Sequence, residues 1–495
     1  MRKKFCPPML FGILTPIDEI LIPTNSRCRL YPTLIALQEI YKRKREVVDL
    51  VYEDLLTDYA HSTNDLIDPI LDELLPTVSG DESNPENTDS GFGAPGMTAW
   101  QTLVAVALRQ ATNCTYDDLE VHFNHNELIR EFCQIPKIDR SVFSESRLGK
   151  NCRKISDETI QAINSAVVEV SMELDFEDGK SIRGDSYACK TNIHYPSDTK
   201  AIEEACAKVI AICVKTSGSC LGWRQHKYLR RKLKKLAKQL VQEKRSKRRD
   251  KQAKSEAIKK AYRDLISAAR QIQQKAFDSW ETMDDREELG YYMCCLELMI
   301  DLAERRTQHA EIIDSSEKLF SIFEPHTELI HRGKYPLPIE YGHRVFVAEG
   351  RSGIILDHRV MENGVLDQHE TLPMLERLCE RYGKLDVLSL DKGFNIKGFN
   401  PSEQDHSVSL FALPSKGYKN KERKEAESSE GFVEARKWRA GVESCIGALM
   451  RGNGGDRCRD RHIRGYRRWV SACVLSRNLI TLGRLLLEQK LKKAA

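Results

Sequence analysis

Apolar positions recur with a period near 3.6 through most of the first 175 residues. Leu34, Leu37, Ile40, Tyr41, Val47, Val51 and Leu55 keep this spacing and predict helix within residues 34–75. Residues 77–97 (TVSGDESNPENTDSGFGAPGM) lose the pattern and have the Ser, Asn, Gly, Pro and acid content of a linker. Thr98 and Gln101 then form a capping box ahead of Leu103, Val104, Val106, Ala107 and Leu108. Short helical stretches follow at 116–123, 127–132 and 141–150, and a longer one at 157–174. Short helices at this density suit a helix-turn-helix module and a generic bundle alike. In the first case Ser144, Ser146, Arg147 and Lys150 are the positions for phosphate contacts.

The period changes at 180–194 (KSIRGDSYACKTNIH), where alternation predicts a strand or hairpin carrying Asp185. Ser197 or Asp198 can cap the helix that follows. Residues 200–321 are helical in period, with Leu229, Leu233, Leu236, Leu240 and Val241 in a narrow seam that predicts a helical hairpin or coiled-coil-like insertion. Strand patterns return at 344–349 and 353–360, flanking the turn Gly350-Arg351-Ser352. A helix over 371–382, a strand over 385–390 ending at Asp391, a strand over 407–413 and a charged loop over 416–429 complete this part. Residues 431–455 read as one helix with an apolar stripe of Trp438, Val442, Ile446 and Leu449. Arg436, Arg439 and Glu443 lie on its flank, Arg451 lies beyond, and glycines at 452, 454 and 455 stop it. Spacing alone also allows Arg439 and Glu443 an ordinary surface ion pair. The fold class expected is α/β: a mixed sheet with flanking helices, interrupted by a long helical insertion and preceded by an all-α region.

Charge sharpens this picture. The 495 residues carry a formal net charge of only +4, but residues 1–99 hold 9 Lys/Arg against 16 Asp/Glu, and residues 431–495 hold 15 against 5. Between Arg224 and Arg263 there are 18 basic residues and three acids. A single sign sustained over so many helical turns repels itself unless a polyanion neutralises it, which points to nucleic acid. The 15 cysteines are scattered, odd in number and without a CxxC pair, so they read as reduced thiols of a cytosolic protein and not as a zinc site. The basic, apolar start resembles a signal peptide faintly, but two prolines interrupt it and no cleavage pattern follows. Arg477, Asn478 and Arg484 make 470–487 an amphipathic helix in place of a membrane span. No GxxxxGK[ST] loop is present, so ATP use is not expected.

The acids are the candidate chemistry. Asp391 ends a strand and is followed by the sharp exit Lys392-Gly393-Phe394, which puts it at the rim of a sheet, where ligands bind. Asp185 on an adjoining strand could reach that rim, and a helix packed across it would bring Glu443. Three carboxylates so placed repel one another, and two divalent cations remove the penalty. Oxygen donors without a Cys/His cage favour Mg2+, with Mn2+ as substitute. Taken singly, Asp185 is equally a hairpin residue and Asp391 a turn former. Glu324 and His326 read as a loop bracing the acids, and His343 as structural.

The blocks GDSYACKTNIHYPSDT (184–199), SIFEPHTELIHRGK (321–334), SLDKGF (389–394) and ARKWRAGVESCIGALMRGNGGDRCR (435–459) resemble those of DDE transposases of bacterial insertion sequences. The resemblance runs from about Thr98 to the last helix. It implies an RNase H-like catalytic domain at 176–199 and 321–468, interrupted by the basic insertion at 200–320. It further implies a DNA-binding helical domain at 98–175 after an N-terminal region at 1–97, with the amphipathic helix at 469–495. Asp185, Asp391 and Glu443 become the catalytic, metal-binding triad with two Mg2+ ions. The family's basic helix motif matches only in part: Arg439 and Glu443 fit, Arg436 stands in the usual Tyr position, and Met450 in the usual Lys position with Arg451 next. DNA contacts are expected from Arg436, Arg439, Arg451, Lys232, Lys234, Lys235, Arg457, Arg459 and Arg464. The partners implied are double-stranded DNA, both terminal repeats and target, and a second copy in a homodimer or larger assembly. No membrane is implied, and the setting is the bacterial cytoplasm at the nucleoid. Two rivals stay open: an RNase H-like nuclease that does not join strands, and a catalytically retired DNA-binding protein.

Overall fold

The computed structural model describes residues 17, 20–22, 28–56, 97–136, 143–216, 223–280, 286–333, 338–362, 364–396 and 407–494. Apart from Met97, the expected linker lies outside these residues, as do the basic, apolar start and Ser141. The described chain forms two compact units. One holds the described parts of Met1–Tyr59, Thr88–Lys190 and His343–Ala495, the other those between Thr191 and Gly342.

The first unit begins with α1 (Leu30–Arg43), α2 (Glu46–Leu56), α3 (Ala99–Thr112), α4 (Tyr116–His125), α5 (Glu127–Phe132), α6 (Glu145–Lys154) and α7 (Asp157–Glu173). Caps fix most of these starts. The Gln101 amide donates to Thr98 Oγ1 while Gln101 Oε1 accepts from the Thr98 amide, and Thr115 with Asp118 repeats the device at α4. β1 (Ser181–Lys190) follows as one strand and not a hairpin.

The second unit holds α8 (Asp198–Thr216), α9 (His226–Arg245), α10 (Lys251–Asp278), α11 (Arg286–Gln308) and β2 (Glu328–His331). α9 and α10 form the expected hairpin, with Leu233 and Leu240 buried in its seam and Asp250 capping α10. α8 and α11 join them, so the insertion has a core of its own with Ile202, Val209, Tyr262, Leu265 and Leu296 at its centre. β2 had no signal in the sequence because it is only four residues long.

Back in the first unit come β3 (Ile339–Glu349, its first four residues belonging to the insertion), β4 (Ile355–Met361), α12 (Asp367–Tyr382), β5 (Leu385–Ser389) and β6 (Val408–Ala412). The strand order is β2-β3-β1-β5-β6, with β4 also on β3. β3 and β4 are the expected antiparallel hairpin, while β5 runs parallel to both β1 and β6, so the sheet is mixed. Four helices follow the last strand: α13 (Lys421–Ser428), α14 (Glu430–Arg439), α15 (Val442–Gly452) and the long α16 (His462–Ala494).

Three expectations are corrected here. The charged stretch 416–429 is not all loop, because Asn420 caps α13 and Glu427 gathers Lys419, Arg423 and the Ser415 amide, so the charges satisfy one another. The helices of 98–175 do not stand apart as a domain. Leu103, Phe123, Ile163 and Val167 share one apolar core with Ile182, Phe346, Leu388 and Leu390 of the sheet. Last, α16 is not a one-sided amphipathic helix. Trp469, Val470, Cys473 and Val474 pack on Val345, Val347 and Ile355, while Leu475, Leu479, Leu482 and Leu486 enter the N-terminal helical core. It is long and apolar enough to cross a membrane, yet 78% of its most apolar window is buried inside the protein.

Candidate active site

The site starts from register. β1 and β5 pair in parallel with Ser181 opposite Val387 and Arg183 opposite Ser389. The pairing stops there; Asp185 continues β1 two residues past Arg183, and Asp391 lies two residues past Ser389, just beyond the end of β5. Alternation along β1 sends Arg183, Asp185 and Tyr187 to one face, where Tyr187 packs against Cys445 and Leu449 of α15. Asp391 follows the end of β5 and leads into a 3-10 turn over Lys392–Phe394, at the rim the sequence implied.

One cation serves both acids. Arg439, the last residue of α14, donates through Nη1 to Asp185 Oδ2 at 2.9 Å, and its Nη2 lies 3.9 Å from Asp391 Oδ1. Arg439 and Asp185 are largely shielded while Asp391 is more open. Burial, helped by the charges of Asp391 and Asp367, holds the Asp185 carboxyl above its ordinary value, against the pull of the Ser186 amide and Arg439.

Asp367 is a group that sequence reasoning missed. It opens α12, accepts from Ser186 Oγ at 2.7 Å and lies 3.4 Å from Arg344 Nη1. In the sequence it looks like any acid at a helix start. Arg183 was missed as well. Its guanidinium pairs with Glu349 at 2.7 Å, donates to the Trp438 carbonyl at 2.8 Å and lies over the Trp438 ring, with Arg351 over the same ring.

Arg183 explains why residues 431–455 are not one helix. In an unbroken helix the Trp438 carbonyl would accept from residue 442. Here Arg183 and the Gly441 amide occupy it, and the chain turns through Ala440 and Gly441 before α15 starts. A Cβ at Gly441 would overlap the Arg183 guanidinium, so glycine is needed for the approach. Glu443 is therefore in the first turn of α15, not on the flank of a helix shared with Arg436 and Arg439. It is exposed and makes no ion pair with a described residue.

Asp185 and Asp391 thus converge, and their oxygens suit a hard cation. Glu443 is not drawn into a three-donor group with them: among the described residues no three His, Cys, Asp or Glu side chains could jointly hold a metal ion. Of the expected DNA contacts, Arg436, Arg451, Arg457 and Arg464 are exposed. Arg459 is exposed too, but donates to Asn113 Oδ1 and the Cys114 carbonyl and lies over Trp469. Lys234 and Lys235 are exposed on α9, and Lys232 reaches Gln271 on α10. Glu324 and His326 pair with each other at 3.0 Å within the second unit. His343 is buried beside Tyr466.

Comparison of the chain with models of protein families, with curated proteins and with solved structures gives no match.

Proposed function

We propose that this chain is a DDE transposase, cutting DNA at the ends of a mobile element and joining the exposed 3′-hydroxyl to target DNA. The observation that carries the reading is the approach of Asp185 on β1 and of Asp391 just past β5 to one guanidinium, that of Arg439. The strand order supports it: β1 is central, the β3–β4 hairpin lies on one side and parallel β5 and β6 on the other. A mixed sheet in this order is compatible with an RNase H-like domain, and the resemblance of the sequence blocks, which runs in the same order, supports that reading.

In this reading Asp185 and Asp391 would hold divalent magnesium, or manganese, and Glu443 would have to move toward them to become the third donor. The chemistry such ions would supply when bound is activation of a water or 3′-hydroxyl and stabilisation of the leaving oxygen of a phosphodiester. Arg439 partly offsets the charge of the two aspartates, and with cations bound there its guanidinium would be free to meet a phosphate. Arg183 fixes the α14–α15 joint and so the position from which Glu443 is presented. Ser186, Asp367 and Arg344 form a chain next to Asp185 that braces β1 at that point. The lysines of α9 supply sequence-independent phosphate contacts.

The deciding experiment incubates the full-length protein with Mg2+ or Mn2+ and DNA carrying the element's own ends. Joined product supports the transposase. Cleavage without joining points to an RNase H-like nuclease. A second reading, a DNA-binding protein without catalysis, is favoured by the Arg439 guanidinium lying near both acids and by the absence of a three-donor group among the described residues. DNA bound but left uncut in either metal would sustain that reading and sink the first.

A further inference from the structure

Asp391 stands at the N-cap of the short 3-10 turn Lys392–Phe394, yet its side chain makes no capping bond there. An aspartate in that place ordinarily spends its carboxylate on the amides of the turn. Here those amides close on backbone instead: Phe394 donates to the Asp391 carbonyl at 3.1 Å and Asn395 to the Lys392 carbonyl at 3.2 Å. The carboxylate is thereby left for the site, where the Arg439 guanidinium lies 3.9 Å away. A turn this short has poor hydrogen-bond geometry of its own, so the placing of Asp391 depends on what holds the turn from outside.

Two side chains do so, through consecutive carbonyls. Thr371 of α12, fully buried, donates its hydroxyl to the Phe394 carbonyl at 2.6 Å. Lys416, from the loop after β6, donates through Nζ to the Gly393 carbonyl at 3.0 Å and lies 3.5 Å from that of Asn395. Its base in the loop is fixed in turn: Glu427 accepts from the Ser415 amide, and Arg423 donates to Ser415 Oγ at 2.6 Å. The Lys416 side chain is exposed and makes no ion pair with a described residue. A solvated lysine loses rotamer freedom when it is held, and charge-assisted bonds to carbonyls, stronger than neutral ones, offset that loss.

We propose that Lys416 is a positioning residue for Asp391: it fixes the turn after Asp391 from the carbonyl side, so that the uncapped carboxylate is kept beside Asp185 for a divalent cation. This rests on the proposed function, in which Asp391 is a cation ligand. Lys416 acts through the backbone and touches neither metal nor DNA. Elsewhere a lysine closing the last carbonyls of a turn adds stability alone. This one differs in what the turn carries, and groups that orient a metal ligand change metal affinity by about 10-fold or more when removed.

The test uses the full-length protein as wild type, Lys416→Met, which keeps the length and loses the donors, and Lys416→Arg, which restores them. Thr371→Val removes the other hold on the turn and serves should Lys416→Met not fold. Hydrogen exchange should quicken at the Phe394 and Asn395 amides of Lys416→Met and slow again in Lys416→Arg. The Mg2+ concentration giving half the maximal rise in melting temperature should increase about 10-fold in Lys416→Met, as should that for half-maximal nicking, with rescue by Lys416→Arg. Duplex affinity and its salt slope, read by fluorescence anisotropy without metal, should equal wild type. Mg2+ midpoints equal to wild type overturn the role, whatever happens to overall stability. A salt slope lower by about 0.9 with unchanged Mg2+ midpoints also overturns it and makes Lys416 a phosphate contact. Wild type that responds to Mg2+ in melting but nicks no DNA sinks the transposase reading and leaves the positioning of a cation ligand standing. Wild type that responds to Mg2+ in neither assay removes the cation site and this role with it.

Discussion

Arg439 lies beside Asp185 on β1 and Asp391 just past β5, two carboxylates whose charge it partly offsets. Arg439→Ala should lower the melting temperature in metal-free buffer, and millimolar Mg2+ should restore more of it than it adds to wild type. Equal shifts in the two proteins, measured by differential scanning fluorimetry, would remove the acids from consideration as a cation site. Asp391→Asn should abolish strand cleavage while duplex binding stays within a few-fold; loss of binding instead would make Asp391 structural. A different acid governs stability. Burial works against the Asp460 carboxylate, but Arg468 and Arg109 outweigh it and hold its pKa below the ordinary value. The folded state therefore gains stability from Asp460 above the unfolded pKa of about 3.9 and loses it as pH falls through the lower folded value. Asp460→Asn leaves two shielded guanidinium groups unpaired and should cost about 3–5 kcal/mol at pH 7, with a flatter acid limb in denaturant titrations.

The joint between α14 and α15 shows what the sequence could reveal and what it could not. Capping at Thr98, the β3–β4 hairpin and the strand ending at Asp391 were legible because each is a matter of near neighbours. The joint is not, because it is made by a side chain 255 residues away that takes the Trp438 carbonyl. The same holds for the site: Asp185 and Asp391 could be named, but their approach to one guanidinium depends on pairing that no local pattern encodes. Gly441→Ala should push Arg183 off Glu349 and Trp438 and cost about 1–3 kcal/mol by overpacking. Activity should fall further than stability, since Glu443 rides on the joint. Unchanged cleavage by a folded Gly441→Ala protein would show that the joint's angle does not matter. On α9, charge reversal of Lys234 and Lys235, exposed and on one helix, should weaken duplex binding and flatten its salt dependence, each lost phosphate contact lowering the slope by about 0.9. A slope equal to wild type would leave α9 a spacer.

At the scale of the whole molecule, two units have separate apolar cores, one around the sheet and one within the helical insertion. Leu265→Ala opens a cavity in the second core and should cost that unit about 2–5 kcal/mol. Calorimetry should then show a shift in the transition of the insertion alone, and a matching shift in both units would mean that they melt as one. The order in which the units are threaded also has a temporal side. β1 leaves the ribosome with Asp185 in its middle, yet its parallel neighbour β5 starts only at Leu385 and α16, which caps its apolar face, at His462. At about 5–20 residues per second, a nascent β1 waits roughly 10–40 s for the strand that completes its pairing. During that interval the insertion can already have folded, so in the cell it is this helical unit that chaperones would meet as a finished body, tethered to an unpaired, adhesive strand.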